Sequence, residues 1–206
     1  MFRTSIKAAV VALALAPAAA GAATIYPKFV VDGANSSVTV TQTGGSTICN
    51  KCLQVKLAPT LDGRTFAPTA VGDKMAFGFL RWKILSGFAS DMTFSVSAAL
   101  AFSKPDPAKA PVGGIGQIFT VNGQITGGKL QWTNPVSKAA FKQGSWLGVT
   151  FKAGALKKVN QVKTSRVVIT AEKLLPVPIP AAFPLMAGGV AMLGGLGLLR
   201  RKRKTA

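Results

Sequence analysis

Between residues 23 and 175, apolar and polar side chains alternate with a period of two over most of the chain. That is the spacing of half-buried β-strands. The longest run is Asp91 to Ser103, with Met92, Phe94, Val96, Ala98, Leu100 and Phe102 on one face. Thr93, Ser95, Ser97, Ala99, Ala101 and Ser103 occupy the other. Ser37 to Thr41 alternates around Val38 and Val40, and the same period orders Leu147, Val149 and Phe151, then Val167, Ile169 and Ala171. Met75 to Leu85 is apolar on both faces in places, as a central strand would be. Asn122-Gly123 and Gly127-Gly128 read as two turns between short runs. Residues 104–116 read as a long Pro- and Gly-rich loop, and Lys138 to Lys142 as one helical turn. No stretch of this region keeps an i, i+3, i+4 pattern for twelve residues. The expectation is nine or ten short strands in one all-β domain, an antiparallel β-sandwich or jelly-roll-like barrel. At 153 residues the segment can bury about 68–70% of its unfolded surface, so a core needs no covalent staples.

The two ends follow other rules. Residues 1–22 have a basic start (Arg3, Lys7), an uncharged run from Ala8 to Ala16, and small residues ending Ala20-Gly21-Ala22. That is the layout of a secretory signal peptide with A-x-A cleavage. At the other end, residues 176–206 open on prolines, and Leu185 to Leu199 is an unbroken run of Leu, Met, Val, Ala and Gly. Counted from Ala181, 19 residues reach about 28 Å as a helix, close to the ~30 Å hydrocarbon core. Arg200, Arg201, Lys202, Arg203 and Lys204 follow at once. Such a block stays in the cytoplasm, which puts the β domain across the membrane from it, the orientation a signal peptide also demands.

The motif Val177-Pro178-Ile179-Pro180-Ala181, then a glycine-rich apolar helix, then a terminal Arg/Lys cluster resembles the V-P-x-P-A variant of the PEP-CTERM sorting signal. Ile179 stands where Leu is usual. The resemblance covers residues 177–204, and the body is similar in kind to uncharacterised exported proteins with such tails. It implies export in a Gram-negative bacterium, handling by an exosortase-like membrane enzyme, and processing near the proline motif.

Composition narrows the chemistry. The chain has no His, which removes imidazole bases, His-ligated metals and Ser-His triads. Cys49 and Cys52 are the only cysteines. In an exported protein they read first as a disulfide, and second as a thiol-exchange site with Lys51 lowering a thiolate pKa. A redox C-x-x-C starts a helix, whereas β-like Leu53 to Leu57 follows here. The six acids, Asp32, Asp62, Asp73, Asp91, Asp106 and Glu172, form no calcium loop or marked carboxylate pair, and Asp32-Gly33 and Asp62-Gly63 read as turns. No catalytic residue, cofactor or metal site is therefore expected.

Charge adds a further expectation. Residues 23–175 hold 18 Lys and Arg against those six acids, a net +12. Such a field favours anionic polymers. Lys152, Lys157, Lys158, Lys163 and Arg166 form the densest stretch, and Trp82, Trp132 and Trp146 could stack on sugars or simply fill the core. Together these features predict a non-enzymatic exported protein, held at the membrane at least transiently and destined for the cell surface or extracellular matrix. The alternatives are a binding module for acidic polysaccharide and an envelope thiol–disulfide protein. Specific nucleic-acid recognition is not expected of an exported chain.

Overall fold

The computed structural model describes residues 25–45 and 52–177. Ala20, Ala22, Cys49, residues 178–181 of the sorting motif, the apolar run and Arg200 to Lys204 lie outside the described residues.

The described chain is all-β, with eleven strands and no helix: β1 (Phe29–Gly44), β2 (Leu53–Leu57), β3 (Thr65–Phe66), β4 (Lys74–Ile84), β5 (Met92–Lys104), β6 (Ala108–Val121), β7 (Gln124–Trp132), β8 (Val136–Ala140), β9 (Trp146–Phe151), β10 (Gly154–Leu156) and β11 (Val162–Lys173). They form two antiparallel sheets, ordered β10-β7-β6-β5-β1-β3 and β2-β4-β11-β9-β8. The inner faces of both sheets feed one core, with Phe94, Leu100 and Ile118 from the first and Trp82, Val149 and Ile169 from the second. Two aromatic groups anchor it. Phe141 packs 4.9 Å from Phe29 and 5.7 Å from Phe102, and Phe151 lies 5.3 Å from Phe79 and 5.7 Å from Trp132.

β5 follows its alternation, with all six apolar positions from Met92 to Phe102 buried; of the other row, Ala101 is buried as well, its amide donating to Ser36 Oγ at 3.0 Å. Asn122 and Gly123 both take positive φ (50° and 77°), as the two-residue turn joining β6 to β7 requires. β4 lies between β2 and β11, a central strand as its pattern suggests.

Three expectations are corrected. Most of residues 104–116 is strand rather than loop, for β6 starts at Ala108 and buries Ala108, Ala110, Val112, Gly114 and Gly116 in strict alternation. Pro111 is tolerated because this half of β6 pairs only with β5; pairing with β7 begins at Gly114. Gly127-Gly128 is not a turn but the middle of β7. There a Cβ on Gly127 would meet the Leu156 carbonyl of β10, and one on Gly128 the Ile84 side chain and the Gln117 carbonyl. Val136 to Ala140 pairs with β9 as a strand, so the helical turn at 138–142 does not form. Strand pairing outweighs the modest helix preference of Lys and Ala there. The count exceeds nine or ten because β3 and β10 are two and three residues long, too short to show a period.

β4 and β11 carry one irregularity that matters below. Leu80 pairs with Ser165 and Gly78 with Arg166, leaving Phe79 as the extra residue of a β-bulge. Phe79 and Leu80 are consequently both buried, and the side chains beyond them change face.

These close approaches give a paired prediction. Gly128→Ala forces a Cβ to within 2.6 Å of Ile84 and should destabilise by roughly 1–3 kcal/mol. Gly113→Ala, with open space at its Cβ, should be neutral or stabilise by up to about 1 kcal/mol. Urea midpoints at constant slope measure both.

Candidate functional site

Positive charge is concentrated on the outer face of the second sheet. In β2, Leu53, Val55 and Leu57 turn partly inward and Gln54 and Lys56 are exposed. In β4, Trp82 and Ile84 are buried, which points Arg81 and Lys83 outward. Cross-strand register sets Lys56 directly opposite Arg81 and Gln54 opposite Lys83. On the other side of β4, Thr164 of β11 stands opposite Arg81, and exposed Arg166 opposite Gly78. Directly opposed Cβ atoms lie about 5 Å apart and diagonal ones about 7–8 Å. Four cations thus share one patch across three strands, without a carboxylate on β2 or β4 to neutralise them.

The patch is hollowed. Gln54, Lys56, Leu57, Pro59, Arg81, Trp82, Lys83 and Val162 line an open groove of about 340 Å³. Its floor is rigid: buried Trp82 donates its indole Nε1–H to Ser165 Oγ at 3.1 Å, tying β4 to β11 beneath the charged side chains.

Sequence reasoning found part of this. Arg166 belongs to the patch, but Lys163 donates its ammonium to the Ala155 carbonyl (2.8 Å), and Lys157 and Lys158 sit at the connection between β10 and β11. Lys56, Arg81 and Lys83 were not singled out. The signal for them was the outward parity of Gln54 and Lys56, and of Arg81 and Lys83, in two alternating runs; only strand register brings the runs together. The tryptophans do not form a stacking surface. Trp82 and Trp132 are buried, the latter donating to the Lys152 carbonyl at 3.2 Å. Trp146 is half-buried with the Lys138 ammonium 3.9 Å from its ring centroid.

All five aspartates accept hydrogen bonds from the backbone. Asp32 accepts from the Asn35 amide and side chain, and Asp62 from Gly33 at 2.7 Å, so the two Asp-Gly dipeptides brace one another. Asp91 takes the Thr120 amide and hydroxyl, and Asp106 Oδ2 takes the Lys142 amide at 2.5 Å while its Oδ1 is buried without a partner. Asp73 accepts from the Thr69 amide (2.7 Å), its hydroxyl and the Ala70 amide. These donors hold the Asp73 carboxyl below its ordinary range, the Thr69 amide most; Asn35, chiefly through its side chain, does the same for Asp32. Glu172 lies across Gly148 on the outer face of β9. The carboxylates act as turn and loop braces.

Cys52 is fully buried, is not free, and leads directly into β2, with its carbonyl accepting from Leu85 N–H at 2.8 Å. A redox C-x-x-C commonly sits at a helix start, whereas Cys52 leads into a strand; Cys49, the sulfur such a site would expose, lies outside the described residues.

Two predictions follow from charge. Like charges directly opposite each other destabilise a sheet, so Lys56→Thr should raise stability by roughly 0.2–1 kcal/mol, more at low salt. Thermal melts at two ionic strengths read this. A depressed folded-state pKa stabilises above the ordinary carboxylate range, and the benefit disappears as pH falls through the folded value. The Asp73 turn should therefore loosen on acidification, seen as faster amide exchange at Thr69 and Ala70. Asp73→Asn should remove that pH dependence. Compared with known proteins, the chain matches no family, no curated protein and no solved structure.

Proposed function

We propose that the chain is a non-enzymatic exported protein whose working part is a β-sandwich domain, delivered to the cell surface or extracellular matrix by its two terminal segments. The observation carrying this reading is where the domain closes. Val177 N–H donates to the Ile25 carbonyl at 2.8 Å, so the first and last described residues pair at one pole. Among the described residues, the core is drawn from Phe29 to Leu174. A signal peptide ending at Ala22 and a sorting signal starting at Val177 would then leave from the same pole, with the domain projecting away from the membrane. The use of every aspartate as a brace supports a non-catalytic role.

The jelly-roll alternative gains little, because β5, β6 and β7 run as a simple meander within one sheet. A Cys49–Cys52 disulfide is part of the proposal; Cys52 is not free and the chain has one other cysteine. The cationic patch favours a second reading alongside the first, a binding module for acidic polymers.

Expression in an exosortase-bearing Gram-negative host, then fractionation and mass spectrometry of both termini, tests delivery. The expected mature form starts at Ala23, has lost the Arg200–Lys204 cluster, and gains two thiols on reduction. An intact chain in cytosol with Met1 retained would refute the proposal.

A further inference from the structure

We infer that the groove lined by Lys56, Arg81 and Lys83, with Arg166 beside it on β11, is the binding site for a polymer of acidic sugars, gripping the carboxylates of adjacent rings. The inference rests on the second reading above and adds the place and the ligand chemistry.

Three features of the patch carry it. Its charges are presented together at a structural cost. Edge strands often carry Lys to discourage pairing with other chains, which would account for Lys56 alone. Arg81 and Lys83, however, stand on β4, a central strand with neighbours on both sides. Edge protection gives no reason for them, and the position of Arg81 directly opposite Lys56, with Lys83 diagonal to it, works against stability. Among the described residues, none of these side chains is engaged by a carboxylate, so all remain available to an outside anion.

The lining also matches a sugar ring better than a phosphate chain. Leu57, Pro59 and Val162 offer apolar surface to ring C–H groups, and Gln54 supplies hydroxyl-directed hydrogen bonding beside the charges. Small-molecule sites combine these elements, apolar walls with a few placed polar groups. Arg81 can hold a planar carboxylate with two parallel bonds, while Lys56 and Lys83 act as point charges.

Nucleic acid fits less well. Single strands are gripped by aromatic side chains on which bases stack. Trp82 lies under the groove and is only 1% exposed, and Trp146, half-buried, stands two strands away on β9 under Lys138. A duplex is read by an element that enters a groove, and a sheet face with side chains on three parallel rows offers none.

The test uses the full chain in neutral detergent and three probes: sodium polygalacturonate, neutral dextran, and duplex DNA at matched charge concentration. Binding is measured against salt for the wild type and two variants of equal net charge. Lys56→Gln/Arg81→Gln/Lys83→Gln removes the groove cations. Lys28→Gln/Lys109→Gln/Lys142→Gln removes three exposed cations elsewhere. Thermal melts confirm that both variants fold; a groove variant that melts at or above the wild-type temperature supports the cost argument. The expected result is polygalacturonate binding that weakens with salt and is about tenfold or more weaker in the groove variant. Its salt slope should fall by about one per lost contact. The control variant should stay within about twofold, and dextran should not bind. Equal weakening in both variants would overturn the groove while leaving a polyanion-binding module. Absence of polygalacturonate binding would overturn both, and tighter binding to DNA than to polygalacturonate would overturn the ligand assignment.

Discussion

The row of side chains on the inner face of β4 decides what its outer face must do. Phe77, Phe79, Trp82 and Ile84 are buried in the shared core, and Trp82 is bonded to Ser165 on the neighbouring strand. Burying each large apolar side chain is worth about 1.5–3 kcal/mol. An unfavourable cross-strand charge pair costs about 0.2–1 kcal/mol. Burial wins easily, and a slip of one residue would turn the whole row to water. Arg81 and Lys83 therefore stay outside, opposite Lys56 and Gln54, although the sheet itself would be better off without the repulsion. The bulge at Phe79 is part of the same arrangement. It lets two consecutive side chains enter the core and resets the parity along β4, so that Gly78 and Arg81 share the outer face.

How much of this could be read beforehand depended on side-chain size. β5 was legible because its buried row is large and its exposed row polar, so the period of two is unmistakable. β6 has the same period but hides it in small residues. Its buried row of Ala108, Ala110, Val112, Gly114 and Gly116 must be small because its neighbours are large: a Cβ on Gly114 would come within 2.6 Å of the Trp132 ring, and one on Gly116 within 3.1 Å of Leu53. Core filling of this kind pairs large against small across facing positions. In sequence, however, Gly and Pro are read as punctuation. The Asn122-Gly123 turn was legible because its positive φ angles are a local demand. The groove was not, because Lys56 and Arg81 are distant in sequence and adjacent only through register.

The same pattern explains why the acids and the bases behave so differently. Asp32, Asp62, Asp73, Asp91 and Asp106 all find amide donors in turns and loops, where a short carboxylate reaches the backbone. Among the cations, Arg64 and Lys163 donate to backbone carbonyls, while Lys56, Arg81, Lys83 and Arg166 extend from a strand face. Negative charge is thereby tied into the structure, while positive charge is left at the surface.

That charge is not felt as a single sphere. At physiological ionic strength the screening length is about 8 Å, and packed sheets stand about 10 Å apart. A polymer approaching one face is therefore largely insensitive to cations on the other. The outer face of the first sheet is mainly hydroxyl-bearing along β1 and β5, where Thr39 pairs with Ser97 and Thr41 with Ser95. The second sheet presents Lys56, Arg81, Lys83 and Arg166 within one patch. An anionic chain would consequently settle on one side of the domain rather than wrap it. Both ends of the domain meet at a pole through Ile25 and Val177 rather than on that face, so attachment through the terminal segments would leave the groove uncovered.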